Sequence, residues 1–452
     1  MNERYKHLLN FGANLITLGF EGLCFGILWY TRYSNIIFMP FFRRGNWFVI
    51  GLYCLIIFFF THNLGGYNIA YRKVTDIVLS HILAILGSSV FAYLEVSMIA
   101  RHYYNPWPFF TMSILEIVFV SLWTVLIRKL YARLYPPRQL LVIYGYYSPD
   151  ELIAKINSRH DKYNVCAAVS IDVGYDELYR MINQYKGIVL CDLPAEVRNV
   201  LMKYCYAHSV RTYVTPKISD ILFRGSEDIH LFDVPLLLAR NQGLSIVDTF
   251  FKRIFDIVCA VVLLIVFSPV MLIIALCIKL YDHGPVLYKQ ARLTKDGAEF
   301  MMYKFRSMVV DSEKSGARLA GKNDVRITPV GRIIRMIHVD ELPQLINILK
   351  GEMSMVGPRP ERPEIARKYE EEIPEFAFRL KVKAGLTGYA QVFGKYNTTP
   401  YDKLKHDLTY IENYSFWLDI KIIMLTFKVL FIKETSEGID DDCITASRNN
   451  KN

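Results

Sequence analysis

The sequence predicts a membrane α-helical N-terminal bundle, then a Rossmann-like α/β middle domain, then an α-rich C-terminal domain with a re-entrant membrane helix. Three observations carry that reading. Four apolar segments precede residue 131; short strand-like runs then alternate with helical ones; and a fifth apolar run is interrupted by Ser268-Pro269. The expected boundaries are 1–135, 136–245 and 246–452, with the re-entrant helix at 250–281.

Composition agrees. Of 452 residues, 52% are hydrophobic and 14% aromatic, too oily for an ordinary soluble enzyme of this length. The net charge of +10 fits nucleic acid, anionic lipid headgroups or phosphorylated substrates. The membrane content favours the last two and argues against nucleic acid. Eight cysteines are scattered without a CxxC pair, Cys443 being the last, and read as reduced thiols. The first apolar stretch contains Glu21 and lacks a small-residue cleavage site, so it reads as an anchor.

The apolar segments fall near 8–30, 47–60, 77–98 and 109–127. A helix needs about 20 residues to cross a bilayer, so the second is expected to extend into its flanks. Phe41, Phe42, Trp47 and Tyr53, and again Tyr103, Tyr104 and Trp107, suit the membrane interfaces. With the N-terminus inside, Arg4, Lys6, Arg72, Lys73, Arg128, Lys129, Arg133 and Arg138 are cytoplasmic, against Arg32, Arg43, Arg44 and Arg101 outside. That asymmetry predicts a multi-pass membrane protein with a cytoplasmic N-terminus and everything after the fourth span in the cytosol. Glu21 and Glu95 lie within spans; burial against a polar partner or an interface explains them more simply than a site.

Pro136-Pro137 ends the fourth helix. Strand-like runs at 139–145, 165–171, 187–191 and 210–214 alternate with helical stretches at 150–158, 175–185 and 195–208, the pattern of a small parallel sheet. Gly145-Tyr146-Tyr147 stands where a dinucleotide site needs GxGxxG, and the tyrosines would keep the backbone from a pyrophosphate. A regulatory or oligomerising role is the better expectation. In the 254–280 run Pro269 removes a backbone donor and crowds the preceding turn, so a kink or break is expected there. Basic residues Lys252, Arg253 and Lys279 flank the run on both sides, which favours a helix that enters and returns on one face.

The densest chemistry lies between Tyr303 and Pro360. Leu342, Leu345, Ile346 and Leu349 repeat at helical spacing, and Pro343 suits only a first turn, so Asp340 and Glu341 are expected at a helix N-terminus. They could be a cap and a dipole partner. They could also be a nucleophile toward phosphorus, kept ionised there, beside a carboxylate for Mg²⁺. Lys304, Arg335 and Arg359 would neutralise charge in phosphoryl transfer. Arg359 stands between two prolines in Gly357-Pro358-Arg359-Pro360, which limits the entropy lost on gripping a phosphate. Arg326, Arg332 and Arg335 make a basic stretch just before the acids.

These residues resemble the bacterial sugar transferase family, the polyprenyl-phosphate phosphoglycosyl transferases. The ordered motifs are Lys252-Arg253-Ile254-Phe255-Asp256, Ser268-Pro269, Gly284-Pro285, Tyr303-Lys304-Phe305-Arg306, Asp340 to Gln344, Leu349 to Pro360, Gly385 to Gln391 and Trp417 to Lys421. The resemblance covers about 248–433, and the N-terminal architecture is similar to the larger members that initiate exopolysaccharide, capsule or O-antigen units. It implies that Asp340 attacks the β-phosphate of a UDP-sugar, releasing UMP, and that undecaprenyl phosphate then takes the sugar phosphate. It implies Mg²⁺ at Glu341 and functional positions at Lys304, Arg335, Arg359 and Asp419. Lys383, Tyr389 and Gln391 fall in a loop expected to meet the donor. The family commonly has Arg-Pro-Gly and Thr-Gly-Trp there, whereas this chain has Lys383-Ala384-Gly385 and Tyr389. Lysine loses the guanidinium fork, and losing the proline is expected to loosen the loop. The segment 292–297 lacks a glycine usual near its start. Membrane lipids are implied partners, and a homo-oligomer stays open. The sugar stays open among glucose, galactose and N-acetylated hexoses, a plain hexose being favoured by the large architecture.

Two rivals remain. An ordinary glycosyltransferase would release UDP and use a DxD-type motif; Asp440-Asp441-Asp442 lies in a polar tail and is a poor candidate. A non-enzymatic scaffold would not need Asp340, Glu341 and Arg359 intact.

Overall fold

The computed structural model describes residues 4–37, 40–41, 44–231, 233–239, 243–309, 326–394 and 398–430. Phe42, Arg43, Cys443 and the 440–442 aspartates lie outside them. The chain divides into two compact units, residues 1–217 and 218–452.

In the first unit, α1 (Arg4–Leu28), α2 (Arg44–Leu64), α3 (Val74–Ala100) and α4 (Trp107–Leu134) account for the four apolar segments. The second segment does extend, reaching 21 residues. These four and one later helix are long and apolar enough to cross a membrane. Leu8, Phe11, Phe48 and Leu122 face outward, while Phe25, Trp29, Tyr53 and Ile85 fill the interior. With apolar side chains on both surfaces, close approach depends on small residues: Ser80, Ala84, Ser88 and Ala92 line the buried face of α3. Buried polar groups meet one another. Tyr53 donates to Glu116 Oε1 at 3.0 Å, and His81 Nδ1 lies 3.6 Å from Glu21 Oε1. Glu21 is therefore buried beside a polar partner, as expected; Glu116 was hidden by the apolar pattern around it.

The rest of that unit is a four-stranded parallel sheet ordered β2-β1-β3-β4, from β1 (Arg138–Tyr144), β2 (Tyr163–Ser170), β3 (Gly187–Cys191) and β4 (Arg211–Val214). Helices α5 (Asp150–Asn157), α6 (Tyr175–Ile182) and α7 (Ala195–Ala207) make the connections. Leu140–Ile143 are buried throughout, as a central parallel strand requires. At the end of β1 a Cβ on Gly145 would come 2.6 Å from the Asp192 carbonyl, so the chain closes tightly there, and Tyr146 is exposed.

The second unit begins with α8 (Ile218–Arg224) and an antiparallel hairpin, β5 (Glu227–Leu231) and β6 (Val234–Leu238). Then comes α9 (Ile246–Asp282), 37 residues long. Ser245 caps it by accepting the Asp248 N–H. The helix runs through Pro269 without a break in its pattern. Proline cannot donate to the carbonyl four residues back, but Ser268 Oγ donates to that Ile265 oxygen at 2.8 Å. The serine makes the hydrogen bond that the proline cannot.

A β7 (Leu287–Leu293) and β8 (Glu299–Phe305) hairpin, helices α10 (Pro329–Met336) and α11 (Gln344–Lys350), and strand β9 (Ser354–Val356) follow. Next are α12 (Pro363–Glu372), a 3-10 stretch Pro374–Lys381, β10 (Gly385–Thr387) parallel to β9, α13 (Tyr389–Phe393), α14 (Pro400–Glu412) and α15 (Phe416–Leu430). Leu345, Ile348, Val356, Leu404, Leu408 and Ile422 form the centre of this core. The seven described cysteines are all free thiols.

Candidate active site

Asp340 and Glu341 sit in a 3-10 turn, Val339–Glu341. This corrects the expected helix N-terminus: α11 starts at Gln344 with Pro343 as its N-cap, and Asp340 caps nothing. The reason lies just upstream. His338 adopts a left-handed conformation (φ 56°), closing α10 and turning the chain so that i→i+3 bonds lead into α11. Such a conformation is uncommon for a non-glycine residue and is often found at functional sites.

Asn347 fixes this turn against β8. It is fully buried on α11; its Oδ1 accepts the Tyr303 N–H (3.0 Å) and its Nδ2 donates to the Met301 carbonyl (2.8 Å). One side chain thereby satisfies two backbone groups on the free edge of β8, next to Lys304, which reaches Glu341. Lys304 Nζ donates to Glu341 Oε1 at 2.7 Å, and Arg359 Nη2 donates to the same oxygen at 3.0 Å. Burial raises the Glu341 carboxyl, but the two cations more than offset it and hold it far below the usual carboxylate range. Burial raises Asp340 above its ordinary value; Lys304, and less strongly Arg335 on the last turn of α10, pull it back. The expectation that a helix N-terminus keeps Asp340 ionised is therefore replaced: neighbouring cations oppose a desolvation that prevails.

Among the described residues no group of three His, Cys, Asp or Glu side chains could hold a metal. Mg²⁺ typically binds through one or two carboxylates together with waters and substrate phosphates. One ionised Glu341 beside Asp340 fits that donor set: both cations take Oε1, and Oε2 has no side-chain partner among the described residues.

The Arg359 loop is packed by glycines. A Cβ on Gly357 would lie 2.4 Å from the Lys383 carbonyl, and one on Gly388 would lie 2.1 Å from the Gly357 carbonyl. Ala384 donates its N–H to Thr294 Oγ1 at 3.2 Å, a bond that proline could not make. The loop expected to be loosened by losing that proline is instead buried and tied.

The other expected residues lie elsewhere. Asp419 on α15 is buried with Lys252 of α9, whose Nζ donates to Oδ2 at 2.5 Å, while the Tyr410 hydroxyl donates to Oδ1 at 2.8 Å. That pair joins α9 to the core, as does Asp256, which accepts the Met355 N–H at 2.9 Å. The Lys383 ammonium is lowered by burial and by Arg253, and Gly351 is its close neighbour. Tyr389 packs on Phe393 (centroids 4.4 Å apart), and Gln391 donates to the Leu386 carbonyl. Sequence reasoning missed Asn347, for which a polar residue on the apolar face of 342–349 was the available signal.

The chain is similar to known proteins along most of its length. The family model described as bacterial sugar transferase matches residues 247–433. An N-acetylgalactosaminephosphotransferase acting on undecaprenyl phosphate, from Aeromonas hydrophila, is 34% identical over 82% of this chain and 86% of its own length. A glucose-1-phosphate transferase from Klebsiella pneumoniae is 35% identical over 58% of this chain and 56% of its own. A galactose phosphotransferase from Salmonella typhimurium is 38% identical over 48% and 47%. The family match over residues 247–433, with a relative aligned over four fifths of this chain, places it in the bacterial sugar transferase family.

Proposed function

We propose that the chain transfers a hexose-1-phosphate from a UDP-sugar to undecaprenyl phosphate, giving undecaprenyl-diphosphate sugar and UMP, as the first membrane step of a bacterial surface polysaccharide. Membership of the family makes it a polyprenyl-phosphate sugar-1-phosphate transferase. The observation that carries the finer reading is the Asp340-Glu341 turn, with Lys304 and Arg359 on the second carboxylate and Arg335 acting on the first.

In the first step an Asp340 carboxylate oxygen attacks the donor β-phosphorus. The bond from that phosphorus to the bridging oxygen breaks, and UMP leaves with the oxygen. In the second, a phosphate oxygen of undecaprenyl phosphate attacks the same phosphorus, and Asp340 is released as carboxylate. Lys304, Arg335 and Arg359 stabilise the charge on the transferring group. Glu341 would hold Mg²⁺, which when bound neutralises phosphate charge. Lys383, Tyr389 and Gln391 are assigned to the donor side through the loop packed on Gly357.

We read α9 as re-entrant at the cytoplasmic face of the inner membrane, which would hold the site where a lipid phosphate lies. A straight helix of 37 residues would span about 55 Å. Both halves of α9 nevertheless pack within this unit, each on its own hydrophobic cluster. Arg253 donates to the Ile348 and Leu349 carbonyls at the end of α11, while Ile274 and Ile278 pack with Phe305 and Ile334. Leu342, beside the carboxylates, borders both packing groups. The β2-β1-β3-β4 domain is read as Rossmann-like without a dinucleotide site, because Gly145 is closed against Asp192.

The test is the by-product. Purified protein with undecaprenyl phosphate and a panel of UDP-sugars should release UMP; release of UDP would contradict the proposal and favour an ordinary glycosyltransferase. The relatives act on three different sugars, so the panel also identifies the sugar.

A further inference from the structure

Gly357-Pro358-Arg359-Pro360-Glu361 presents a backbone problem. Two of its residues lack an N–H, so the segment cannot sustain a regular ladder. The structure instead anchors four successive carbonyls from three separate elements. Pro358 O accepts from the Gly385 N–H at 2.9 Å, and Glu361 O from the Leu293 N–H at 3.0 Å. Between them, Arg359 O accepts from Arg379 Nη2 at 2.8 Å, and Pro360 O from Arg292 Nη1 at 3.0 Å.

Both arginines are deployed unusually. Arg379 is only 3% exposed, and its charge is met by Asp407 Oδ2 at 2.8 Å, with Glu361 Oε1 3.7 Å away. Arg292 is partly buried and also donates to Gln290 Oε1. Burying two guanidiniums is unfavourable unless they are well bonded. Neither touches Asp340 or Glu341; each spends a donor on the backbone of the loop that carries Arg359. Arg359, half exposed at its side chain, reaches Glu341 through a contact too open to water to hold the loop itself.

We infer that Arg379 and Arg292 are positioning residues that clamp the 358–361 backbone, so that the Arg359 guanidinium is held beside Glu341 and the donor phosphate. This rests on the proposed role of Arg359 and adds to it what keeps that residue in place.

The test is a double-mutant cycle on UMP release, with full-length protein in detergent or nanodiscs. Arg379→Lys keeps a cation near Asp407 but loses the guanidinium whose Nη2 reaches both the Arg359 carbonyl and Asp407. It should lower kcat by about 10- to 100-fold, as misplacement of a phosphate-gripping group does. KM for the donor should change less. Arg359→Ala should lower release at least as much. In the Arg359→Ala background Arg379→Lys should add little, because the clamp acts through Arg359. If the two losses multiply, the clamp is wrong. If Arg359→Ala releases UMP normally, the assignment of Arg359 to the donor falls, which is a separate failure. Should Arg379→Lys fail to fold, Arg292→Lys takes its place in the same cycle with the same two readings.

Discussion

Lys304 Nζ lies 2.7 Å from Glu341 Oε1, so the carboxylate next to Asp340 is already neutralised before any substrate arrives. This leaves Asp340 as the acid whose charge is least compensated, raised by burial and held down chiefly by the same lysine.

Lys304→Met should therefore act twice. Transfer should fall by about 10²- to 10³-fold through lost phosphate stabilisation. The acidic limb of the kcat/KM profile should also move to higher pH, because removing the cation raises the Asp340 pKa further. A profile measured between pH 5 and 9 checks this; a loss of rate with an unmoved limb would separate Lys304 from Asp340.

Asp419 offers a different contrast. The resemblance places it among functional positions, but in the structure it is paired with Lys252 in the core. Lys252→Met leaves a buried carboxylate without its cation and should cost about 3–5 kcal/mol of stability. Asp419→Asn should likewise lower the thermal midpoint, with near-normal UMP release per folded molecule at low temperature. A normal midpoint with release abolished would return Asp419 to the chemistry.

How much of this was legible in the sequence follows the range of each interaction. The four apolar helices and the alternation of strand and helix are local patterns; the strands and their connecting helices fall within three residues of expectation, while the four apolar helices run longer than the apolar segments. The Asp340-Glu341 pair, Lys304 and Arg359 were found because their motifs stand close in the chain. The turn around Asp340 was misread as a helix end, since spacing alone does not distinguish i→i+3 from i→i+4 bonding at Pro343. Arg292, Arg379 and Asp407 were invisible for another reason. Arg292 bonds a carbonyl 68 residues away, and Asp407 meets Arg379 across two intervening elements; alone, each is one more charge on an amphipathic segment. The Ser268-Pro269 pair was recognised as a disruption, but not that the serine hydroxyl makes good the lost bond.

Asp407 predicts a pH effect on stability. Burial raises its carboxyl to about 6 despite Arg379. A folded-state value above the unfolded one means that its contribution is full below the ordinary range near 4 and is lost as pH rises through about 6. Wild-type thermal midpoints should therefore fall between pH 4 and 6 more steeply than those of Asp407→Asn, which has no proton to lose there. Equal slopes would contradict this.

Everything proposed for the reaction depends on Asp340 taking the phosphosugar covalently. Rapid acid quench with a labelled UDP-sugar and no undecaprenyl phosphate, followed by peptide mass spectrometry, tests it directly. The account predicts a phosphosugar adduct on the peptide containing Asp340, released when undecaprenyl phosphate is added before quenching and absent in Asp340→Asn. An adduct on another side chain, or full turnover by Asp340→Asn, would contradict it.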